Sequence, residues 1–548
     1  MKYKYKFKVK FFLPFLLIIL FAGFLRSDGD IYYRMSKSVD VFGEVFRQAV
    51  LNYVDPINPE KFIESGIKGM LNSLDPYTVF YNKDLQKDVE VLTRGRYGGI
   101  GATIGLRDDK ITIISLMDGY SAQRQGLRIG DMILQIDSVK MGPDNYDLLG
   151  ANLKGKPGTM VHLTILREGV SDTLRFNLVR EEIEIKNVVY ADFWPANSDN
   201  VFIKLTGFSR TAGDEIKSAL EKLGKKKKIN SVILDLRGNP GGLLDAAIDV
   251  SEKFLPPKSL IVSIIGRDSI KTKKFYSKEN PLAGKAKLCV LINGGSASAS
   301  EIVTGAIQDH DRGVVLGTRS FGKGLVQTVI PLPYDNTMKI TTARYYTPSG
   351  RCIQKLDYSK KVLDKPVDYV QKKFYTDDHR PVFSAGGILP DTVVQNEKLP
   401  EVIGNLLSKG MFFRFASYYY NKNEKKEKLN NLNTNRLFNE FIKYLDENKF
   451  NFESEEDKLV KELKESEIIS SNPDLTERMN RFSKLLSDTQ KLEIVKNKSK
   501  VLEILKWELA AREEGIRGRV AEMLKDDVQA KTAYNILTQD SVYQAILK

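Results

Sequence analysis

The 548-residue sequence predicts a multidomain protein of α/β and β parts with helical regions at both ends. Three observations carry that prediction. Between Glu184 and about Val394, short continuous apolar runs such as SVILDL (Ser231 to Leu236) alternate with stretches of helical apolar spacing. That pattern marks strands buried on both faces and joined by helices. Ahead of it, from about Arg96 to Glu182, short runs are divided by glycine turns, which reads as a small β domain. The flanks, before Arg94 and beyond Pro400, are charged and carry amphipathic helical periodicity. Length alone suggests three or four domains, each large enough for a core.

Taken in order, Lys2, Lys4, Lys6, Lys8 and Lys10 precede Phe11 to Leu25, a run apolar throughout apart from one Pro and one Gly. Its length suits the core of a signal peptide and is short for a full span. Ala22-Gly23 offers a weak cleavage site, so residues 1–26 are a signal peptide or an uncleaved membrane anchor. Both readings export the remainder and satisfy the positive-inside rule. Residues 27–95 are predicted helical. Val39, Phe42, Val45, Phe46, Ala49 and Val50 make one apolar face, and Ile63, Ile67, Met70 and Leu71 another. Such an arm serves packing or contact with a second copy, and a homo-oligomer stays open.

The formal charge of +14 invites a nucleic-acid partner. Five of the lysines, however, flank the apolar segment, and Lys225 to Lys228 form a loop without a nucleic-acid-binding motif around it, so none is predicted. Cys289 falls inside an apolar strand and Cys352 stands apart, which makes no disulfide framework. His162, His310 and His379 are scattered, and neither Cys-x-x-Cys nor His-Glu-x-x-His occurs. No metal and no cofactor are predicted.

The chemistry concentrates between Lys287 and Leu332. Leu288 to Ile292 read as a buried strand, Gly294-Gly295 break it, and Glu301 to Gln308 carry helical spacing. Ser298 thus stands at a strand–turn–helix junction, near the N–H groups at the positive end of a helix, which suits a nucleophile. Ser298-x-x-Glu301 equally fits a capping box, with Ser298 capping the helix and Glu301 reaching back to its N–H. Lys323, between Gly322 and Gly324, opens a second strand, GLVQTVI, and the period of two puts Lys323 and Gln327 on one face of it.

SASASE followed by FGKGLVQ, with Ser298 and Lys323 in these positions, resembles the C-terminal processing peptidases, or tail-specific proteases. LDLRGNPGG (Leu234 to Gly242), TTARYYTPSGR (Thr341 to Arg351) and GGILPD (Gly386 to Asp391) match the same family, in the same order. The resemblance implies a serine endopeptidase in which Ser298 attacks a peptide carbonyl, a neutral Lys323 is the base and Gln327 orients one of them. It makes Gly242 the preferred oxyanion donor beside Ala299, with Gly241 as fallback. Free lysine titrates near 10.4, so burial against neighbours such as Phe321 is expected to bring Lys323 down, with activity rising with pH. A Ser-His-Asp arrangement is not expected, because His310 lies at the far end of the same helix. Arg344, Tyr345 and Tyr346 are architecture or groove lining.

YGGIGATIG, ITIISLMDGYSAQRQGLRIGDMILQID and GTMVHLTILREG resemble a PDZ domain. Gly98, Gly99, Ile100 and Gly101 would then form the loop that captures a peptide's terminal carboxylate, and the next strand edge would take the peptide as an added strand. The expected domains are residues 27–95 helical, 96–183 PDZ, 184–395 an α/β serine protease core and 396–548 mostly helical. In the last, Trp507, Leu509 and Ile516 are packing residues, and NKNEKKEKLNNLNTN (Asn421 to Asn435) is a polar linker. The expected protein is an exported, envelope or periplasmic endopeptidase acting on substrates with exposed C-termini. A non-catalytic PDZ adaptor on a protease-like scaffold, and a crotonase-like core for acyl-CoA chemistry, are the alternatives.

Overall fold

The computed structural model describes residues 29–82, 95–268, 270–362, 365–395, 397–422, 429–450 and 454–548. The apolar segment Phe11 to Leu25, with its signal or anchor reading, lies outside these residues. Among the described residues no helix is long and apolar enough to cross a membrane.

The chain divides into two compact units, Met1–Phe80 with Met338–Ile340, and the remainder. In the first, α1 (Gly29–Asn52) and α2 (Pro59–Asn72) meet through stacked rings of Phe46 and Phe62, 5.9 Å apart. Asn58 starts α2 by accepting the Lys61 N–H at 2.8 Å, with Pro59 in the first turn. The helical expectation to Arg94 is corrected at Val79–Tyr81, which is a strand of β-branched and aromatic residues.

In the second unit, β1 (Arg96–Gly99) pairs antiparallel with β7 (Glu181–Glu184). Between them β2 (Ala102–Arg107), β3 (Lys110–Leu116), β4 (Met132–Ile136), β5 (Met160–Leu166) and β6 (Leu174–Val179) form one sheet in that order. Its core is Ile111, Ile113, Ile133, Ile136, Val161, Leu163, Ile165 and Leu178. In β5, Val161, Leu163 and Ile165 are buried while Met160 and His162 are exposed, the alternation of a sheet with one covered face. The edge of β2 is open within this sheet.

The α/β part follows as β8 (Val188–Phe193), β9 (Asn200–Leu205), α3 (Ala212–Gly224), β10 (Ser231–Asp235), α4 (Leu244–Glu252), β11 (Leu260–Gly266), β12 (Lys287–Ile292), α5 (Ala299–Asp309), β13 (Val314–Gly317), β14 (Leu325–Pro331), β15 (Thr337–Tyr346) and β16 (Thr392–Val393). The main sheet runs β8-β9-β10-β12-β13-β16, parallel except for β8 against β9. A second, smaller sheet brings β14 and β11 to either side of β15. Both faces of the main sheet are buried. Val201, Ile203, Val232, Leu234, Leu288, Val290 and Val315 face the cluster that includes residues of α3, α4 and α5. Phe202, Ile233, Cys289, Leu291, Val314 and Leu316 face the opposite way. This explains why the strands read as continuous apolar runs. Cys289, a core residue as expected, has its thiol pushed up by burial.

The opposite face is covered from far down the chain. The C-terminal region begins with its own core, in which α6 (Met411–Lys422), α7 (Thr434–Glu447) and α8 (Lys498–Met523) pack through Phe412, Phe415, Phe441, Leu505 and Leu509. Then α9 (Val528–Thr538) and α10 (Asp540–Leu547) lie on the main sheet, burying Ala530, Ala533, Leu537, Tyr543 and Leu547. Residues 396–548 are mostly helical, as expected, and their last two helices also cover one face of the main sheet. Within the expected polar linker, Asn433 caps α7 by accepting the Arg436 N–H at 3.1 Å. Leu509 is buried and Trp507 packs on the helical core, but Ile516 is 48% exposed, just past a break in α8 at Glu514 and Gly515.

Candidate active site

Two turns at the C-terminal ends of β10 and β12 are knitted into one body. Asn293 Oδ1 accepts from Gly238 at 2.9 Å and Gly295 at 3.0 Å. The Asn239 carbonyl accepts from the Ala297 N–H at 3.0 Å and the Ser300 hydroxyl at 2.9 Å. Ser296 donates to the Leu236 carbonyl at 2.8 Å. The approach leaves no room for a side chain at Gly241, where a Cβ would sit 2.6 Å from the Ala297 carbonyl oxygen and 2.9 Å from Ser298 Cβ. This is the crevice beyond the strand ends, where open α/β sheets place their ligands.

Ser298 occupies φ 55°, ψ −112°, a strained conformation for a residue other than glycine. Glu301 accepts the Ser298 N–H at 2.8 Å, as a capping box requires. The other half of the box is absent: the Glu301 N–H goes to the Ser298 backbone carbonyl, at 2.8 Å, and not to its hydroxyl. The half-buried Ser298 Oγ is thereby left out of the cap.

Glu301 has a wider role than a helix cap. Its fully buried carboxylate also accepts the Lys323 N–H at 3.0 Å, the Gly322 N–H at 2.7 Å and the Ser320 hydroxyl at 2.6 Å. One oxygen, Oε2, therefore holds the backbones of Ser298 and Lys323 together. Burial pushes this carboxyl up to about 7, against the opposing pull of the four donors. Tyr345, 1% exposed, makes a second link: its hydroxyl lies against the Ser298 carbonyl at 3.2 Å and bonds the Lys323 carbonyl.

Lys323 stands in the loop before β14, not in the strand, so the shared strand face expected for Lys323 and Gln327 does not apply. A Cβ at Gly324 would come within 2.9 Å of the Gln354 backbone nitrogen, and one at Gly322 (φ 89°) within 2.9 Å of the Gly387 nitrogen. The flanking glycines thus let this loop lie against residues 352–355, just past TTARYYTPSGR, and against 386–387, the start of GGILPD. Phe321 is 48% exposed. Gln327 donates to Thr341 Oγ1 on β15 at 3.3 Å.

Among the described residues the N–H groups of Gly242 and Ala299 donate no hydrogen bond. The Gly241 N–H is occupied by Asn239 Oδ1 at 2.9 Å, which removes the fallback donor. At the far end of α5, Arg351 of TPSGR is fully buried and grips Gln308 and Asp309, both at 2.7 Å. His310 faces Asp377 and the Leu260 carbonyl, each at 2.7 Å, well away from Ser298. Arg344 is exposed and lies over the Tyr369 ring, 5.8 Å from its centroid, whereas the Tyr345 hydroxyl enters the site.

In the small β domain, Gly98 and Gly99 pair with Glu182 and Glu181. The N–H groups of Ile100 and Gly101 donate no hydrogen bond among the described residues, while their carbonyls accept from Ala122 and Met117 at 2.9 Å. Ile100 is 3% exposed, so only its backbone is available to a ligand. Gly101 (φ 79°) would bring a Cβ within 2.3 Å of Tyr120 Cβ. The loop thus ends at the open edge of β2.

The small sheet with its glycine loop, the α/β core and the serine turn define a serine endopeptidase carrying a PDZ domain. Residues 98–178 match the PDZ domain, 200–362 match peptidase family S41, and 402–537 match the C-terminal helical domain of probable PDZ-proteases. The carboxy-terminal-processing protease of Bartonella bacilliformis is 38% identical over 346 residues, 63% of this chain and 78% of that protein. CtpB of Bacillus subtilis is 30% identical across 61% of this chain and 69% of its own length. Among solved structures, the photosystem II D1 C-terminal processing protease is 26% identical with a TM-score of 0.36, covering 65% of this chain and 87% of that one. The chain belongs to the carboxy-terminal processing protease family.

Proposed function

We propose that this is an exported endopeptidase of the cell envelope or periplasm, held at the membrane by its N-terminal segment, that captures the C-terminal tail of a protein substrate and cleaves the chain with a Ser298–Lys323 dyad. Ser298 Oγ attacks the peptide carbonyl carbon as its proton passes to the lone pair of neutral Lys323 Nζ. The tetrahedral oxyanion receives the N–H groups of Gly242 and Ala299. Collapse breaks the C–N bond, Lys323 returns the proton to the leaving amine, and water hydrolyses the acyl-enzyme with Lys323 again as base. Gln327, held by Thr341, lines this site.

One observation carries the reading. The backbones of Ser298 and Lys323 meet on a single Glu301 oxygen, beside two N–H groups left without partners. Substrate tails enter at Ile100 and Gly101, whose N–H groups suit a carboxylate, and run along the edge of β2. The experiment is mass spectrometry of a denatured protein substrate incubated with wild type, Ser298→Ala and Lys323→Ala. Fragments and a covalent acyl adduct are expected from wild type alone. Fragments from either variant would sink the dyad. N-terminal sequencing of the mature protein, with fractionation of the cell envelope, tests export and anchoring.

A further inference from the structure

We infer that the C-terminal helices are part of the catalytic apparatus: Asp527, at the start of α9, holds Arg237 and through it the turn that presents the Gly242 N–H. This rests on Gly242 being an oxyanion donor. Arg237 and Asp527 are then positioning residues for peptide cleavage.

Arg237 begins the turn Arg237–Gly242, and every one of its guanidinium donors is placed. Nε goes to Asp235 at 2.9 Å, Nη1 to Asp527 at 3.1 Å and Gln529 at 3.0 Å, and Nη2 to Asp235 at 2.8 Å and Asp527 at 2.6 Å. Its backbone is fixed as well, the N–H on Asp235 at 2.9 Å and the carbonyl under Lys204 Nζ at 2.9 Å. The Arg237 and Asp527 side chains are only 14% and 16% exposed, which favours a strong, geometrically defined two-point pair.

Downstream of this anchor the turn is rich in glycine. Gly238 (φ 70°), Gly241 (φ 98°) and Gly242 (φ 157°) all lie in the region that glycine adopts freely, so the turn's own residues define its shape weakly. Its position comes from ties at either end. Asn239 and Asn293 bind it to the Ser298 turn, and Arg237 binds it to α9. Asp527 is itself fixed, because its Oδ1 also caps α9 by accepting the Ala530 N–H at 3.0 Å. Beside it Gln529 is buried and donates to the Val394 carbonyl at 2.6 Å. On the inner side, Arg237 and Lys204 outweigh burial and hold Asp235 at about 2, so this carboxylate stays a partner of the guanidinium.

Two variants of the full chain separate the clasp from the helix cap. Asp527→Asn keeps a capping oxygen but turns an amide toward the guanidinium, and Asp527→Ser keeps the cap but is too short to reach it. For both, kcat on a tailed peptide is expected to fall tenfold or more with KM within twofold. Affinity for a peptide boronate, whose tetrahedral adduct places an oxygen at the oxyanion position, should fall by the same factor. Arg237→Gln combined with Asp527→Ser should lose no more than the worse single change. A kcat within twofold of wild type in Asp527→Ser, or a double variant whose loss is the product of the singles, overturns the inference. Ser298→Ala is assayed alongside. Turnover surviving there means that the nucleophile is misassigned, whereas its loss there with intact Asp527 variants refutes the clasp alone.

Discussion

Tyr345→Phe removes a single oxygen from the centre of the site and leaves the ring that fills the core. In the wild type that hydroxyl is shared by the Ser298 and Lys323 carbonyls, and the side chain is 1% exposed, so water cannot replace it. Leaving a buried acceptor unsatisfied costs about 1–3 kcal/mol. Part of that falls on stability. The rest appears in turnover, because the Lys323 carbonyl loses its donor and with it a link to the Ser298 turn, whose own carbonyl keeps the Glu301 and Ile302 N–H groups. If the whole cost were felt in the transition state, kcat would drop roughly 5- to 150-fold. The assay is steady-state cleavage of a tailed peptide, with a thermal melt on the same preparation and Tyr346→Phe as the neighbouring control. A kcat for Tyr345→Phe within twofold of wild type, at unchanged melting temperature, would refute the view that this hydroxyl holds nucleophile and base in register.

Glu301→Gln should change the pH dependence of stability. The buried carboxyl is pushed up to about 7 from an ordinary 4.5, so its contribution is complete below 4.5 and is lost as pH rises through 7. The loss amounts to on the order of 3 kcal/mol, and the melting temperature of the Gln variant, lower throughout, should lack this decline. Equal slopes for the two proteins between pH 5 and 8 would contradict the shift. Arg351→Ala removes the buried cation paired with Asp309 and leaves that side chain only the Ser349 N–H, which costs about 3–5 kcal/mol and should lower the melting temperature by about 10 °C. Differential scanning calorimetry tests it, and a drop under about 2 °C would mean that the pair contributes little. Gly101→Ala adds a Cβ 2.3 Å from Tyr120 at φ 79° and should weaken binding of a fluorescent C-terminal peptide at least tenfold, while a peptide amide, lacking the carboxylate, binds both forms weakly. Unchanged anisotropy titrations would remove the loop from substrate recognition.

The parts legible in the sequence are those written in local pattern. Strands β10 and β12 are continuous apolar runs because both their faces are covered, and Gly-Gly after Ile292 marks the turn that carries Ser298. The parts that stayed hidden depend on distance along the chain or on side-chain direction. Nothing local at Asp527 announces a partner at Arg237, since a helix cap explains the residue fully. Tyr345 and Tyr346 look alike in sequence, but as neighbours on a strand they face opposite sides, and it is Tyr345 that is buried with its hydroxyl on Ser298 and Lys323. Lys323 lies ahead of the strand it adjoins, and because a loop residue carries no period, a face shared with Gln327 could not be read from the sequence. Its backbone N–H instead goes to Glu301, which a helix-cap motif explained too easily.

The far face of the main sheet has a consequence for biosynthesis. Its cover comes from residues 524–547, which emerge from the ribosome long after Ser298 has been made. Until they arrive, Phe202, Leu291 and Leu316 are bare and Arg237 lacks its outer carboxylate. A nascent chain therefore carries Ser298 and Lys323 before the far side of its sheet is closed, so the fold is completed last at the end farthest from where the chain began.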